Sequence, residues 1–433
     1  MNGYRDNKTA LALHWFWYFL SVLVLSVLTL LVSQQAPNLL PYESSLNDYF
    51  RVTRANAQLQ ARMQPLDVTL VVVNEELINQ LPYRSPVDRC VLAHGLASIL
   101  SLDPTVVGVD FLLDKRTETT KDSQLKQILF ENKSKLVMAV NATDDPVIGL
   151  PDARVVEEEF LKEASRASAL LIKDEDYVLR NAIIADNAVP TFAAELAAFK
   201  SVNTVSGNAV SMFQIDWLAK ESGRDDAFPV LPLQLFLDTP VNSNCKVSLE
   251  LQEPSVVNAV KDSYLRNLIE NKIVILGADL SWEDRHVTPL DAVWQENIAL
   301  SGAAIHANIT QQLIDGRKIV EVGFIWALAI LVLGFSGGFL LSKFIESDPV
   351  RNDQDLQGAK VVEWRRYLVL LVPVFVGALL SGINWLFIYF FGLILPIGLV
   401  AIAVGASLLM ELFKDLISRS WMVVLDAWVK PPR

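Results

Sequence analysis

Val106-Val107-Gly108-Val109-Asp110-Phe111 decides the fold. Its apolar residues follow one another with little alternation, the pattern of a strand covered on both faces. Upstream, Asp67 to Val73 is a second apolar, β-rich run, followed by a short helix from Glu75. Val87 to Leu100 then puts Val91, Leu92, Leu96, Ile99 and Leu100 on one helical face. Downstream, the pattern predicts a helix over Gln124 to Phe130 and a strand over Leu136 to Val140. Further on it predicts helices over Thr191 to Phe199 and Ser263 to Glu270, a strand over Lys272 to Leu276, and a last helix from Ala303 to Ile314. Strand, helix, strand in repetition means βαβ units, and so an α/β domain with a mainly parallel sheet and flanking helices. Ala169 to Asn187 differs. Its two β-like runs around Lys173-Asp174-Glu175-Asp176 predict a β-hairpin.

Apolar runs frame this domain. Leu11 to Val32 exceeds the ~20 residues a spanning helix needs. It ends in Val32-Ser33-Gln34-Gln35-Ala36, a poor cleavage site, so a retained anchor is expected rather than a signal peptide. Val322 to Ser342 is a second span. Tyr367 to Leu412 contains no charge before Glu411 and suits two spans with a turn at Phe390-Phe391-Gly392. Arg5 and Lys8 precede the first span, five cations lie between Lys343 and Arg366, and Lys414, Arg419 and Lys430 follow the last. The positive-inside rule then puts both termini in the cytoplasm. The expected order is a cytoplasmic 1–10, a transmembrane helix 11–32, an extracytoplasmic domain 34–321 and a transmembrane helix 322–342. A cytoplasmic loop 343–366, two transmembrane helices 367–412 and a cytoplasmic tail 413–433 complete it. That order fits a multi-pass membrane protein with its large domain outside and the lipid bilayer as its first partner.

The chain carries a net charge of −12, and its acidity lies in the outer segment. Gln34 to Glu321 holds 26 Lys and Arg against 40 Asp and Glu, while the remainder is +2. An acidic outer domain excludes nucleic acid as its partner. Cys90 and Cys245 are the two cysteines. Cys90 falls in an apolar helical pattern, and two separate buried thiols are expected rather than a disulfide.

Candidate site residues gather at strand ends. Asp110 closes a buried strand at the carboxyl edge of the sheet, where α/β folds bind ligands. It either contacts a ligand or accepts hydrogen bonds from neighbouring loop backbone. Trp282-Glu283-Asp284-Arg285-His286 leads into Thr288-Pro289 in another such loop. Asp284, Arg285, His286 and Thr288 are its candidate ligand contacts. Carboxylates beside a histidine are also metal-ligand chemistry, but the stronger reading is a loop that Asp284 holds through backbone hydrogen bonds. No metal and no cofactor are expected. His94 reads as a packed residue, and His306 as structural or as a contact to that loop. No phosphate-binding G-x-x-x-x-G-K-[ST] and no H-E-x-x-H occurs, and an enzyme is not expected.

Pro86 to Leu113 resembles the helix and strand at the core of the second class of CHASE domain, an extracellular sensing domain associated with cyclases and histidine kinases. The carrying residues are an Arg-led helix and Gly108-Val109-Asp110-Phe111. Asp174-Glu175-Asp176-Tyr177-Val178-Leu179-Arg180 resembles that family's turn, with Tyr177 in place of its usual Gly. Lys272 to Ala278, then Asp284, Thr288-Pro289-Leu290, Gly302 to Asn308, Leu313, Gly316 and Arg317 are similar to its carboxyl-terminal signature. The resemblance covers Tyr42 to Val320 and implies an input domain that signals through a membrane bundle. It further implies a periplasmic FecR-like protein as a partner.

Here the chain departs from the family's usual layout, because only about twenty residues follow the last span. The expected output half is then absent, or it is a separate effector. Phe413, Ile417, Trp421, Val424, Leu425 and Trp428 form one helical face in that tail, which either lies in the membrane interface or docks a cytoplasmic partner. Gly334-Phe335-Ser336-Gly337-Gly338, Ala401 and Gly405 are small residues spaced for close helix packing, within the chain's own bundle or in a homodimer. The expected function is a sensor that relays an outer event to a separate effector. The alternative is a structural, docking subunit of a cell-envelope assembly.

Overall fold

The computed structural model describes residues 20–31, 41–141, 159–161, 164–186, 189–200, 212–220, 227–237, 258–294 and 299–346. Closer to the carboxyl end it describes 376–396 without 377, and 399–406 without 402. The chain divides into two compact units, residues 51–319 and the remainder.

The 51–319 unit is built on one six-stranded parallel sheet in the order β4-β3-β2-β10-β1-β9. Its strands are β1 (Val68–Asn74), β2 (Val106–Val109), β3 (Leu136–Val140), β4 (Ser165–Ser168), β9 (Val230–Pro232) and β10 (Ile273–Asp279). Strand β10 comes late in the chain yet pairs with both β1 and β2, filling the gap between them. Alternate residues serve two cores. Val71, Val73, Val107, Val109 and Leu276 pack with helices α2 (Arg89–Ser101), α3 (Thr119–Glu131) and α5 (Asn258–Ile269). Leu70, Val72, Val106, Ile273 and Ile275 pack with α4 (Phe192–Ala198) and α6 (Gly302–Asp315). The short central strands are therefore apolar at nearly every position, as two-sided cover requires.

Two glycines set how closely the second layer approaches. A Cβ on Gly108 would lie 2.6 Å from Phe192 Cζ, and one on Gly277 would lie 2.7 Å from Ala303 Cβ. Helix α2 starts at Asp88, whose carboxylate accepts the N–H groups of Cys90 (2.8 Å) and Val91 (3.3 Å). Its leading Arg89 is buried, with Nη2 donating to the Lys115 carbonyl at 3.2 Å. Helix α6 is capped by Ser301 and ends at Gly316, in the left-handed region at φ 66°.

The expected hairpin is only partly formed. Its turn is present: Asp174 N–H donates to the Val178 carbonyl, and Ile172 and Asn181 make an antiparallel bridge. Beyond that, β5 (Asn181–Ile183) takes β8 (Met212–Gln214) as its partner, while β6 (Ala185–Asp186) pairs with β7 (Val189–Pro190). Arg180 holds the turn through Asp174 (2.9 Å) and Asp176 (2.7 Å). Tyr177 sits at φ 64°, the conformation glycine adopts freely, and its side chain is 75% exposed. Tyr177→Gly should therefore raise unfolding free energy by about 0.5–1 kcal/mol, because it relieves left-handed strain and loses little packing. Chemical denaturation of the two proteins checks this; an unchanged midpoint would contradict it.

Cys90 is disulfide-bonded, which overturns the expectation of two separate thiols. Cys245, the other cysteine of the sequence, lies outside the described residues. Periodicity could not reveal the bond, since a half-cystine and a buried thiol satisfy the same apolar helical position equally well.

An ion cluster joins residues 51–61 of α1 (Pro41–Ala61), the segment after β8 and the end of α6. Asp216, 1% exposed, accepts from Arg54 Nε (3.1 Å), Arg54 Nη2 (3.2 Å) and Gln58 Nε2 (3.1 Å). Arg317 lies 3.6 Å from the same carboxylate and donates to the Asp216 carbonyl. Asp315 in turn pairs with Arg317 (3.1 Å) and Arg62 (2.5 Å). Gln312 completes the network, its Oε1 accepting the Asp216 N–H at 2.8 Å.

In the second unit, residues 20–31 are helical, and so are α7 (Phe324–Glu346), 376–391 and 399–406 apart from 377 and 402. These regions overlap the expected spans, with α7 running past Ser342 to Glu346, but among the described residues no helix is long and apolar enough to cross a membrane. Val22, Leu30, Ala327, Leu331, Phe335, Val400 and Ala403 share one core. A Cβ on Gly334 would meet Val400 Cγ1 at 3.0 Å, so this small residue serves packing within the chain itself. The turn expected at Phe390-Phe391-Gly392 is where the helix stops, with Gly392 at φ 63°. Strand β13 (Val320–Glu321) then pairs with β14 (Leu393–Ile394). The amino-terminal ten residues, most of the 343–366 loop and the whole tail lie outside the described residues. So do Phe413, Ile417, Trp421, Val424 and Trp428.

Candidate functional site

Parallel strands deliver their last residues to one edge, and β2 delivers Asp110 there. Its N–H donates to the Leu276 carbonyl of β10 at 2.8 Å, fixing the backbone beside Gly277. A Cβ on Gly277 would lie 3.5 Å from Asp110 Oδ2. The glycine thus leaves room on one side for α6 and on the other for the carboxylate. Among the described residues, no side chain or N–H hydrogen-bonds the Asp110 carboxylate. Burial, reinforced by the charge of Asp284, pushes its pKa up to about 7.

Asp284 is held at φ 52°, inside the left-handed region. Its Oδ2 accepts the Gly302 N–H at 3.1 Å, and its Oδ1 meets His286 Nε2 at 3.0 Å. The anion thus sits at the amino end of α6, where free N–H groups and the helix dipole favour it. Gly302 is needed at this point, since a Cβ there would lie 2.4 Å from Asp284 Oδ2. The sequence reading has Asp284 bonding its own loop backbone to fix the turn into Thr288-Pro289; its carboxylate instead takes the N–H of Gly302, 18 residues on, and Asp291 bonds Thr288.

His306 lies one helical turn into α6 and is 2% exposed. It packs edge-on against Phe192, with ring centroids 5.1 Å apart, and among the described residues its Nδ1 has no partner. Burial pushes its pKa down to about 4, so the imidazole stays neutral. His286 Nδ1 is likewise buried without a partner. The edge therefore brings together Asp110, Asp284 and His286, with His306 beneath.

The other two candidates build the loop. Arg285 spends its guanidinium on the carbonyls of Leu280 (2.7 Å) and Ala299 (2.8 Å) and on Asp279 (2.6 Å). Thr288, fully buried, bonds Asp291 through its N–H (2.8 Å) and hydroxyl (3.1 Å). Arg84, which the sequence did not single out, ties the loop outward through Glu75 (2.8 Å) and Glu283 (3.4 Å). Among the described residues, no group of three or more His, Cys, Asp or Glu is placed to hold a metal ion. Gly334-Phe335-Ser336-Gly337-Gly338 does spell G-x-S-x-G. It lies inside helix α7 rather than on a strand-to-helix turn, so it is not a nucleophile elbow.

The family model for the CHASE2 domain matches residues 22–341. The chain belongs to the CHASE2 family. The match extends beyond the sheet domain on both sides and takes in part of the apolar runs that flank it. CHASE2 domains are extracellular sensory domains. No curated protein and no solved structure matches the chain significantly.

Proposed function

We propose that the CHASE2 domain is the periplasmic input half of a bacterial inner-membrane sensor whose output half is a separate protein. The observation that carries this reading is the Asp110 carboxylate. It is partly covered, unsatisfied by hydrogen bonds and set against a like charge, an arrangement that costs stability and recurs at functional sites. In this reading the edge formed by Asp110, Asp284 and His286 meets the stimulus. Four transmembrane helices carry the event inward, and the tail face of Phe413, Ile417, Trp421, Val424 and Trp428 passes it to an effector. The domain performs no catalysis of its own. Homodimerisation and a FecR-like periplasmic partner are compatible with it.

The test compares transcript profiles in the native host. Asp110→Asn and the double variant Trp421→Glu with Trp428→Glu should both alter the genes that respond to deletion of the whole protein. Both variants should still accumulate in the membrane. Unchanged profiles in both, with stable co-purification of envelope proteins, would favour the docking-subunit reading instead.

A further inference from the structure

The sheet has a second edge, where its strands begin. Strands β1, β10 and β9 start side by side at Val68, Ile273 and Val230. A cavity of about 390 Å³ opens beside their first residues, within the size range of small-molecule sites. Leu66, Phe228, Pro229 and Leu268 contribute apolar walls, and Lys220 and Lys272 complete the lining.

Lys272 is held firmly. Its carbonyl accepts the Thr105 N–H at 2.9 Å, and the next N–H, of Ile273, donates to the Asp67 carbonyl at 2.8 Å. The ammonium donates once, to the Leu66 carbonyl at 2.6 Å. An ammonium has three donors. Among the described residues no carboxylate makes an ion pair with this one; Asp67, the acid nearby, is taken by Lys200 at 2.7 Å. Burial pushes the Lys272 pKa down, against the pull of the nearby Asp67 charge. The cavity thus joins an apolar wall to an ammonium that no carboxylate of the described residues pairs. It offers burial to an apolar body and charge-assisted hydrogen bonds to an anionic head.

We infer that this cavity binds an amphipathic anion, an apolar body carrying one carboxylate or phosphate head, with Lys272 holding the head. The site is separate from the Asp110 edge and does not depend on the role given to it.

The test uses the full chain in amphipol, with phenylacetate, phenyl phosphate and the neutral phenylacetamide as probes. Binding is followed by ligand-observed NMR against amphipol alone. At least one of the two anions should bind, and their order tells a carboxylate site from a phosphate site. Phenylacetamide should bind at least tenfold more weakly. Lys272→Gln, which can still donate to the Leu66 carbonyl, should weaken the anions at least tenfold while keeping the wild-type melting temperature. Lys272→Arg should keep most of the affinity. If Lys272→Gln loses its fold, Asn267→Glu, which puts a like charge on the exposed rim of the same cavity, should weaken the anions at least tenfold. The inference is overturned if neither anion binds, if the amide binds as tightly as the anions, or if the folded variants Lys272→Gln and Asn267→Glu bind the anions normally.

Discussion

Asp216→Ala should remove about 3–5 kcal/mol from the unfolding free energy of the 51–319 unit. The loss follows from what is left behind rather than from what is taken away. Asp216 is 1% exposed and accepts three hydrogen bonds from Arg54 and Gln58, with Arg317 at 3.6 Å. Without it, Arg54 and Arg317 lose the carboxylate they share in a covered site, while Arg317 keeps Asp315. Asp216→Asn should cost less, because the amide keeps the volume and part of the hydrogen bonding. Denaturation of the full chain, followed by fluorescence of the neighbouring buried Trp217, measures both. A loss below about 1 kcal/mol for the alanine variant would mean that the cluster relaxes into water and has no structural role.

Asp110→Asn should act in the opposite direction and stabilise the protein at alkaline pH. The folded pKa of about 7 stands above the ordinary carboxylate value of 3.8. A raised acid favours the protonated form in the fold, so stability falls as pH rises from near 4 through 7 and stays low above that. The asparagine variant does not ionise and escapes this decline. At pH 8 it should exceed wild type by about 2–4 kcal/mol, and near pH 4 the two should agree. Thermal or chemical denaturation at several pH values checks the sign. A wild type whose stability relative to Asp110→Asn stays level between pH 5 and 8, having risen below pH 5, would show that the carboxylate has a favourable partner. Few substitutions of a polar group are expected to stabilise a protein this much, which is why the position reads as functional.

The central strands and the helices between them were legible because two-sided burial writes itself into sequence as unbroken apolar runs. Leu136–Val140 and the helix from Gly302 to Asp315 match their expected positions within a residue. Strands β4, β8 and β9 were not legible, since three- and four-residue strands at edges carry too short a pattern. The position of β10 between β1 and β2 was also hidden, because pairing across 167 and 205 residues leaves no local trace. Asp110 and the Asp284 loop could be singled out as strand-end polar residues. Their satisfied or unsatisfied state could not, because it depends on Gly277, Gly302 and α6 arriving from elsewhere in the chain. The same holds for Arg285, whose charge suggested a ligand contact and whose guanidinium is instead occupied by Asp279 and two carbonyls.

Helix α6 begins with an N–H on Asp284 and ends with the Asp315 carboxylate between Arg62 and Arg317. Fourteen residues make a rod of about 21 Å. Eleven of them are buried, and tight contact at Gly277 pins the rod to β10. Such a rod has little freedom to bend, so a push at its amino end is spent as translation rather than absorbed along the way. The two charged groups at its ends are then mechanically one object. A stimulus that displaced Asp284 by an ångström would be felt, at nearly full stroke, by the arginines on the far side of the domain.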